Sequence, residues 1–101
     1  MDLSFSYNWN KKLDCQAFTT IRKTRYEPGT ILKVFHKKEY IKTVYVESVK
    51  EFKLHQLNSF MSYLDTGYSV QECQNIIKKM YSARYTDLDT ETFYFHLLVT
   101  V

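Results

Sequence analysis

The sequence predicts an α+β fold in which two helices pack against a β-barrel. Segments rich in β-branched and aromatic residues occupy much of the first half and the last ten residues of the chain. Between them the apolar residues recur at helical spacing. The chain has 101 residues, of which 45% are hydrophobic. This size and composition predict one folded domain over residues 1–101.

Four segments are predicted to be barrel strands. Residues 3–9, LSFSYNW, alternate apolar and polar side chains with the period of a half-buried strand. Residues 31–36 and 40–49 are rich in β-branched and aromatic residues, and the polar KKE between them suits a hairpin loop. Residues 92–101, TFYFHLLVTV, form the last strand. The middle strands carry apolar residues on both faces, as expected where one face fills a barrel and the other is covered.

A turn is predicted at Pro28 and Gly29, because proline presets the first central position of a type II turn and glycine accepts the positive φ of the second. The segment that leads into this turn is AFTTIRKTRYE, residues 17–27, which combines the threonine pair Thr19-Thr20 with three cationic residues. This segment holds the main functional candidates.

Two helices are predicted in the second half of the chain. Apolar residues at helical spacing favour a helix over 54–65, which Gly67 ends. Ser69-Val-Gln-Glu72 matches a capping box, in which both side chains satisfy backbone N–H groups, and favours a second helix over 69–82. The residues expected to be largely buried on this helix and the last strand are Val70, Ile76, Ile77, Met80, Phe93, Phe95 and Leu97.

Charge and hydropathy narrow the functional classes. Fourteen Lys and Arg residues against eleven Asp and Glu give a net charge of +3, which falls short of the basic surface of an obligate duplex binder. The N-terminal MDLSFSYNWN does not look like a signal peptide, and the chain contains no apolar run of membrane-spanning length. We therefore expect a soluble cytoplasmic protein without a membrane partner.

Cysteine and histidine positions predict neither a metal site nor a cofactor. Cys15 and Cys73 lie in unrelated contexts without CxxC spacing, so we expect neither a disulfide nor a zinc site, and we assign Cys73 to the core. His36, His55 and His96 are scattered over two strands and a helix. We interpret them as structural or surface residues.

The candidate binding residues are mainly cations. Arg22, Lys23 and Arg25 fall within four positions, and Lys11 and Lys12 precede them. Charge clustered in a connecting segment is typical of a functional loop, and equally of a solvated one.

Two further positions are candidates for a site. Asp65 lies beside Gly67 between the predicted helices, where its carboxylate either faces a pocket or helps to end one helix and cap the next. Arg84 lies between two tyrosines at the exit of the second helix, where it either stabilises the helix dipole or pairs with an anion.

Three segments, taken in order, resemble the ASCH family of the PUA-like superfamily. TTIR at 19–22 is similar to the family's Thr-Ile-Arg strand, and EPGTILKVF at 27–35 to the turn that opens the next barrel strand. GYSVQECQNIIKKMY at 67–81 is similar to the family's capped helix ending in tyrosine. The resemblance implies a PUA-like β-barrel with two helices packed against it, and a cleft that accepts RNA, a nucleotide or a modified nucleoside.

The resemblance also assigns roles to residues. Thr19, Thr20 and Arg22 would line the cleft, and Lys23 and Arg25 would attract an anion. The full set of residues expected to bind nucleic acid is Lys11, Lys12, Thr19, Thr20, Arg22, Lys23, Arg25 and Arg84.

Some similar proteins are amidohydrolases of acylated cytidine that use a lysine, a threonine and a glutamate. Thr20 matches the threonine and Asp65 or Thr66 falls in the acidic region, but Ala17 takes the place of the lysine. Alanine supplies neither a base nor a nucleophile. Lys11, Lys12 or Lys23 replaces it only if the fold brings that lysine within hydrogen-bond distance of Thr20, with Asp65 completing a displaced triad.

We therefore expect a binding module for single-stranded RNA or a nucleotide-like anion. One alternative is an amidohydrolase of acylated nucleosides, with Thr20 and Asp65 as the weak catalytic candidates. The other is a protein-interaction adaptor of phage or mobile-element origin.

Overall fold

A computed structural model, which describes residues 1–82 and 87–101, has an α+β fold built on one curled, mixed sheet. The strands are β1 (Asp2–Phe5), β2 (Ala17–Arg22), β3 (Ile31–His36), β4 (Glu39–Lys53) and β5 (Thr92–Thr100). Their order in the sheet is β1-β3-β4-β5-β2, with β1 parallel to β3 and the other neighbours antiparallel. The sheet curls into a half-barrel whose two edge strands are β1 and β2.

The predicted strands at 31–36 and 92–101 are confirmed, and the one at 40–49 extends to Lys53, with a bulge between Val46 and Ser48. The predicted strand at 3–9 is wrong in its second half, because β1 ends at Phe5. Its partner β3 ends at the same level, where the backbone N–H of Lys37 donates to the Phe5 carbonyl at 3.0 Å. The chain then leaves the sheet.

Both predicted turns are present. Lys37 and Lys38, with φ of 51° and 71°, form the two-residue loop between β3 and β4, as a type I′ hairpin requires. At the other turn, Gly29 has a φ of 90° and the Thr30 N–H donates to the Glu27 carbonyl at 3.1 Å. These features match the predicted type II turn.

The helical half of the chain contains α1 (Ser59–Thr66) and α2 (Val70–Tyr81). The helix predicted over 54–65 is partly wrong: Leu54–Gln56 is a separate 3-10 turn, and α1 begins only after Asn58, whose side chain accepts from the Met61 N–H at 2.9 Å. The capped helix α2 is confirmed, with the Ser69 hydroxyl accepting from the Glu72 N–H. The other half of the predicted capping box differs, because the Glu72 carboxylate accepts from the Ser69 hydroxyl at 3.0 Å and not from its backbone N–H. No helix of the described segments has the length and apolar character needed to cross a membrane.

Two apolar clusters form the core. One takes residues from all five strands and fills the curl of the sheet, and the other packs α1 and α2 against β4 and β5. Of the residues predicted to be buried, Ile77 and Phe93 are buried, whereas Val70, Ile76, Phe95 and Leu97 are half-buried. The prediction that Met80 is buried is wrong, since 61% of this residue is exposed. The side of α2 that faces the core follows Val70, Cys73, Ile77 and Tyr81, and Met80 lies beside this stripe.

Candidate functional site

A cleft opens where the two edge strands of the half-barrel meet the helices. Its walls include Ser4 and Phe5 of β1, Thr20 and Arg22 of β2, and residues of α1 and α2 such as Asp65. The cavity volume is about 100 Å³. The cleft therefore lies beside the edges of the sheet, where backbone and side-chain groups are available to a ligand.

A buried ion pair lies in the wall of the cleft. Lys12 Nζ is 3.0 Å from Asp65 Oδ1, and the two side chains are only 5% and 9% exposed. Burial lowers the pKa of Lys12 below its ordinary value, although the neighbouring Asp65 carboxylate opposes that change. The sequence leaves two roles open for Asp65, either facing a pocket or helping to end one helix and cap the next. In the structure its side chain lines the cleft.

The segment after β1 turns Lys12 inward. Trp9–Asp14 forms two 3-10 turns joined at Asn10 and Lys11, which have φ of 55° and 53°. Asn8 Oδ1 accepts from the Leu13 N–H at 2.9 Å and fixes the turn. As a result Lys11 is exposed while its neighbour Lys12 is buried.

Arg22 connects the two edge strands. Its Nη2 donates to the Ser4 carbonyl of β1 at 2.8 Å, and its Nε donates to Thr20 Oγ1 at 3.1 Å. The guanidinium carbon lies 4.6 Å from the centroid of the Phe5 ring, a cation–π contact. Burial lowers the pKa of Arg22, but an arginine starts so high that the side chain stays charged at neutral pH.

The two threonines of the TTIR segment face different cavities. The Thr19 hydroxyl donates to Asp65 Oδ1 at 3.3 Å and faces a neighbouring cavity that Ala17 also lines. The Thr20 hydroxyl faces the cleft and accepts from Arg22. Lys12 lines both cavities. Lys12 is thus a lysine that shares the cleft with Thr20, and its amine is bonded to Asp65.

The remaining predicted cations lie elsewhere. Lys23 Nζ contacts Glu91 Oε1 at 2.8 Å, and Arg25 Nε contacts Glu27 Oε1 at 2.7 Å. The structure therefore brings Lys12, Thr19, Thr20, Arg22 and Asp65 together but not Lys23, Arg25 or the exposed Lys11. Arg84 lies outside the described residues.

His96 is a buried residue on the strand next to β2, which forms part of the cleft wall. It is fully buried on β5, its Nε2 accepts from the Tyr26 N–H at 3.1 Å, and its Nδ1 lies 3.4 Å from the Thr20 carbonyl. Nε2 can accept only in the neutral ring, and burial lowers the pKa of His96. The structural role predicted for this residue is confirmed.

Cys73 is fully buried in the core, as predicted, and burial raises its pKa to about 11. Such a thiol stays protonated and is a poor nucleophile. Within the described part of the chain, no three His, Cys, Asp or Glu side chains are arranged to hold a metal ion.

Sequence reasoning missed the aromatic side of the cleft. The alternation over residues 3–9 predicts that Tyr7 and Trp9 lie on the apolar face of a strand, but both lie after β1 and line the cleft. The signal was the NWN triplet at 8–10, because asparagine disfavours strands and accepts left-handed backbone conformations.

Comparisons of this chain with protein-family models, with curated proteins and with solved structures give no match in any of the three.

Proposed function

We propose that the half-barrel is a PUA-like domain of the ASCH type and that its cleft binds a nucleotide-like anion, as a free nucleotide or within single-stranded RNA. The observation that carries this proposal is Arg22. It is a half-buried cation, held in place from two strands, and it lines the cleft.

The charges of the cleft favour an anion at Arg22. Asp65 balances Lys12, whereas the groups bonded to Arg22 in the described part of the chain, on Ser4 and Thr20, are neutral. A guanidinium has five N–H donors in a planar fork, and these bonds use two of them. The others suit a phosphate, which arginine binds through paired charge-assisted hydrogen bonds.

Titration of labelled single-stranded RNA and of a mononucleotide tests this proposal. Arg22→Ala is expected to weaken binding about 10- to 100-fold, because a hydrogen bond to a charged group is worth about 1.5 to 3 kcal/mol. Arg25→Ala is the matched control, since Arg25 is paired with Glu27 at the surface and does not line the cleft. Affinity should fall as salt is added, with a smaller slope in the Arg22 variant.

Equal affinity of the Arg22 and Arg25 variants would refute the role of Arg22, and no binding at low salt would refute the proposed function. Because Arg22 also links β1 to β2, the unfolding midpoint of each variant is measured alongside. Arg22→Lys keeps the charge and loses the fork, so it should bind more weakly than wild type and more tightly than Arg22→Ala.

A second candidate function is hydrolysis of an acylated nucleoside. The observation that favours it is that the Lys12 amine, the Thr20 hydroxyl and the Asp65 carboxylate line the same cleft. In such a reaction water is added across the amide, the C–N bond breaks, and the carboxylic acid and the free nucleoside amine are released. Burial of Lys12 favours the neutral amine that proton abstraction requires.

Incubation with N4-acetylcytidine, followed by measurement of cytidine release, tests the second candidate. Turnover should be lost in Thr20→Ala and in Lys12→Met, and the wild-type rate should increase with pH as Lys12 loses its proton. Arg25→Ala again serves as the control that keeps activity. Absence of cytidine release from folded wild-type protein would leave binding as the function of the cleft.

A further inference from the structure

A second groove adjoins the cleft on the far side of Trp9. It is lined by Trp9, Tyr68, Glu72, Asn75 and Ile76, and its volume is about 380 Å³. Trp9 and Ile76 also line the cleft, so the indole ring stands between the two cavities. A ligand longer than one nucleotide can therefore pass from one cavity to the other along the same side chain.

Three aromatic rings form a series along this boundary. The ring centroids of Tyr7 and Trp9 are 4.5 Å apart, and those of Trp9 and Tyr68 are 6.0 Å apart. Tyr7 is 55% exposed and Tyr68 is 41% exposed, so these rings are not core residues. Rings of this kind, open to solvent beside a basic cleft, are typical of surfaces that stack nucleobases.

The segment that carries Trp9 is tied to the helices, and its indole ring packs against Tyr7 and Tyr68 before any ligand arrives. Trp9 opens the segment that contains the left-handed residues Asn10 and Lys11. The Asn10 side chain donates to the Tyr63 carbonyl at 3.4 Å and contacts Gly67, which ties the segment to α1. A stacking surface fixed in this way needs little ordering when it binds.

The polar groups of the groove suit a nucleobase better than a phosphate. Glu72 presents a carboxylate, one oxygen of which accepts from the Ser69 hydroxyl, and Asn75 an amide, whose oxygen accepts from Gln71. The second carboxylate oxygen and the amide N–H groups can pair with the amino and carbonyl groups on the edge of a base. A phosphate beside Glu72 would be repelled by its charge. The backbone anion therefore belongs at Arg22, and an uncharged ring belongs beyond Trp9.

We infer that this groove is a second subsite, which stacks the nucleobase next to the nucleotide held in the cleft, so that the preferred ligand is single-stranded RNA of at least two nucleotides. This inference rests on the proposed function. It adds the length of the ligand and the residues that read it, namely Trp9, Tyr68 and Asn75.

The test compares CMP with the dinucleotides CpA and ApC by calorimetry, and by fluorescence of the single tryptophan of the chain. At least one dinucleotide should bind about 5- to 100-fold more tightly than CMP and quench Trp9, because each stacked base adds binding free energy. Tyr68→Ala should remove most of this gain and leave the affinity for CMP unchanged, since Tyr68 lines the groove and not the cleft. Tyr63→Ala is the matched control, an exposed tyrosine that lines neither cavity.

The possible results separate the two proposals. Equal affinity for CMP and both dinucleotides, or a gain that survives Tyr68→Ala, overturns the second subsite and leaves the cleft as a mononucleotide site. No binding of any of the three ligands overturns the proposed function together with the subsite.

Discussion

Replacement of Asp65 by alanine should strongly destabilise the protein, because it leaves Lys12 buried without its counter-charge. The Lys12 side chain is 5% exposed and its Nζ lies 3.0 Å from Asp65 Oδ1. Removing one partner of a buried ion pair typically costs about 3 to 5 kcal/mol. The cost has a ceiling, because Lys12 can release its proton instead, and deprotonating a lysine of ordinary pKa at pH 7 costs about 4 to 5 kcal/mol. We therefore expect a loss of about 3 to 5 kcal/mol at pH 7.

The loss should shrink as the pH rises. In the variant, burial without the carboxylate lowers the pKa of Lys12 further, whereas the unfolded chain keeps its proton up to about pH 10.4. The unfolded state then binds more protons than the folded state, so the stability of the variant increases with pH. Between pH 7 and 9 the difference from wild type should fall by up to about 2 to 3 kcal/mol.

Urea unfolding at pH 7 and pH 9, followed by circular dichroism, measures both effects. The control is the double variant Lys12→Met, Asp65→Leu, which removes both charges and should recover most of the lost stability. If Asp65→Ala does not fold, Asp65→Asn provides the same comparison with a side chain of the original shape. A loss below about 1 kcal/mol that does not depend on pH would refute the buried pair.

Three further predictions concern the framework of the fold. Phe93→Ala should cost about 3 to 5 kcal/mol because the ring is fully buried, whereas exposed Met80→Ala should stay within about 0.5 kcal/mol; similar urea midpoints would contradict this placement. Burial lowers the pKa of His96, so its contribution to stability is present above about pH 6.5 and is lost at lower pH. The thermal unfolding midpoint should therefore fall less between pH 7 and pH 5 in His96→Gln than in wild type. Gly67→Ala should destabilise the protein more than Gly29→Ala. Both glycines have positive φ, which costs an alanine about 1 to 2 kcal/mol, but of the two only Gly67 would place a new Cβ 3.0 Å from a side chain, that of Asn10. Equal losses of stability in the two variants would exclude that clash.

The parts of the fold that the sequence predicts well are those specified locally. Ser69 and Glu72 fix the start of α2, and Gly29 fixes the turn before β3, because each acts through groups only a few residues away. The end of β1 depends instead on where β3 ends, which is a pairing between distant residues. The alternation of side chains therefore predicts a strand that continues to Trp9, although the pairing with β3 stops at Phe5.

The candidate site shows the same division. Thr20 and Arg22 follow from a local motif, and Asp65 follows from its position beside a helix terminator. The pairing of Lys12 with Asp65 joins residues 53 positions apart, so no local pattern contains it. The separation of Arg22 from Lys23 and Arg25 follows from the end of β2, after which the two later cations reach acidic partners outside the cleft.

The position of the cleft is a consequence of the incomplete barrel. β1 pairs with β3 and β2 pairs with β5, and in the described residues no ladder joins β1 to β2. A fully closed barrel would use the edge groups of both strands in backbone hydrogen bonds and leave them unavailable to a ligand. Here Arg22 supplies one side-chain bond across the gap, to the Ser4 carbonyl, and a second to Thr20 on its own strand; among the described residues its other N–H groups are not hydrogen-bonded. The residue that links the two edges is therefore also the residue that we propose binds a phosphate between them.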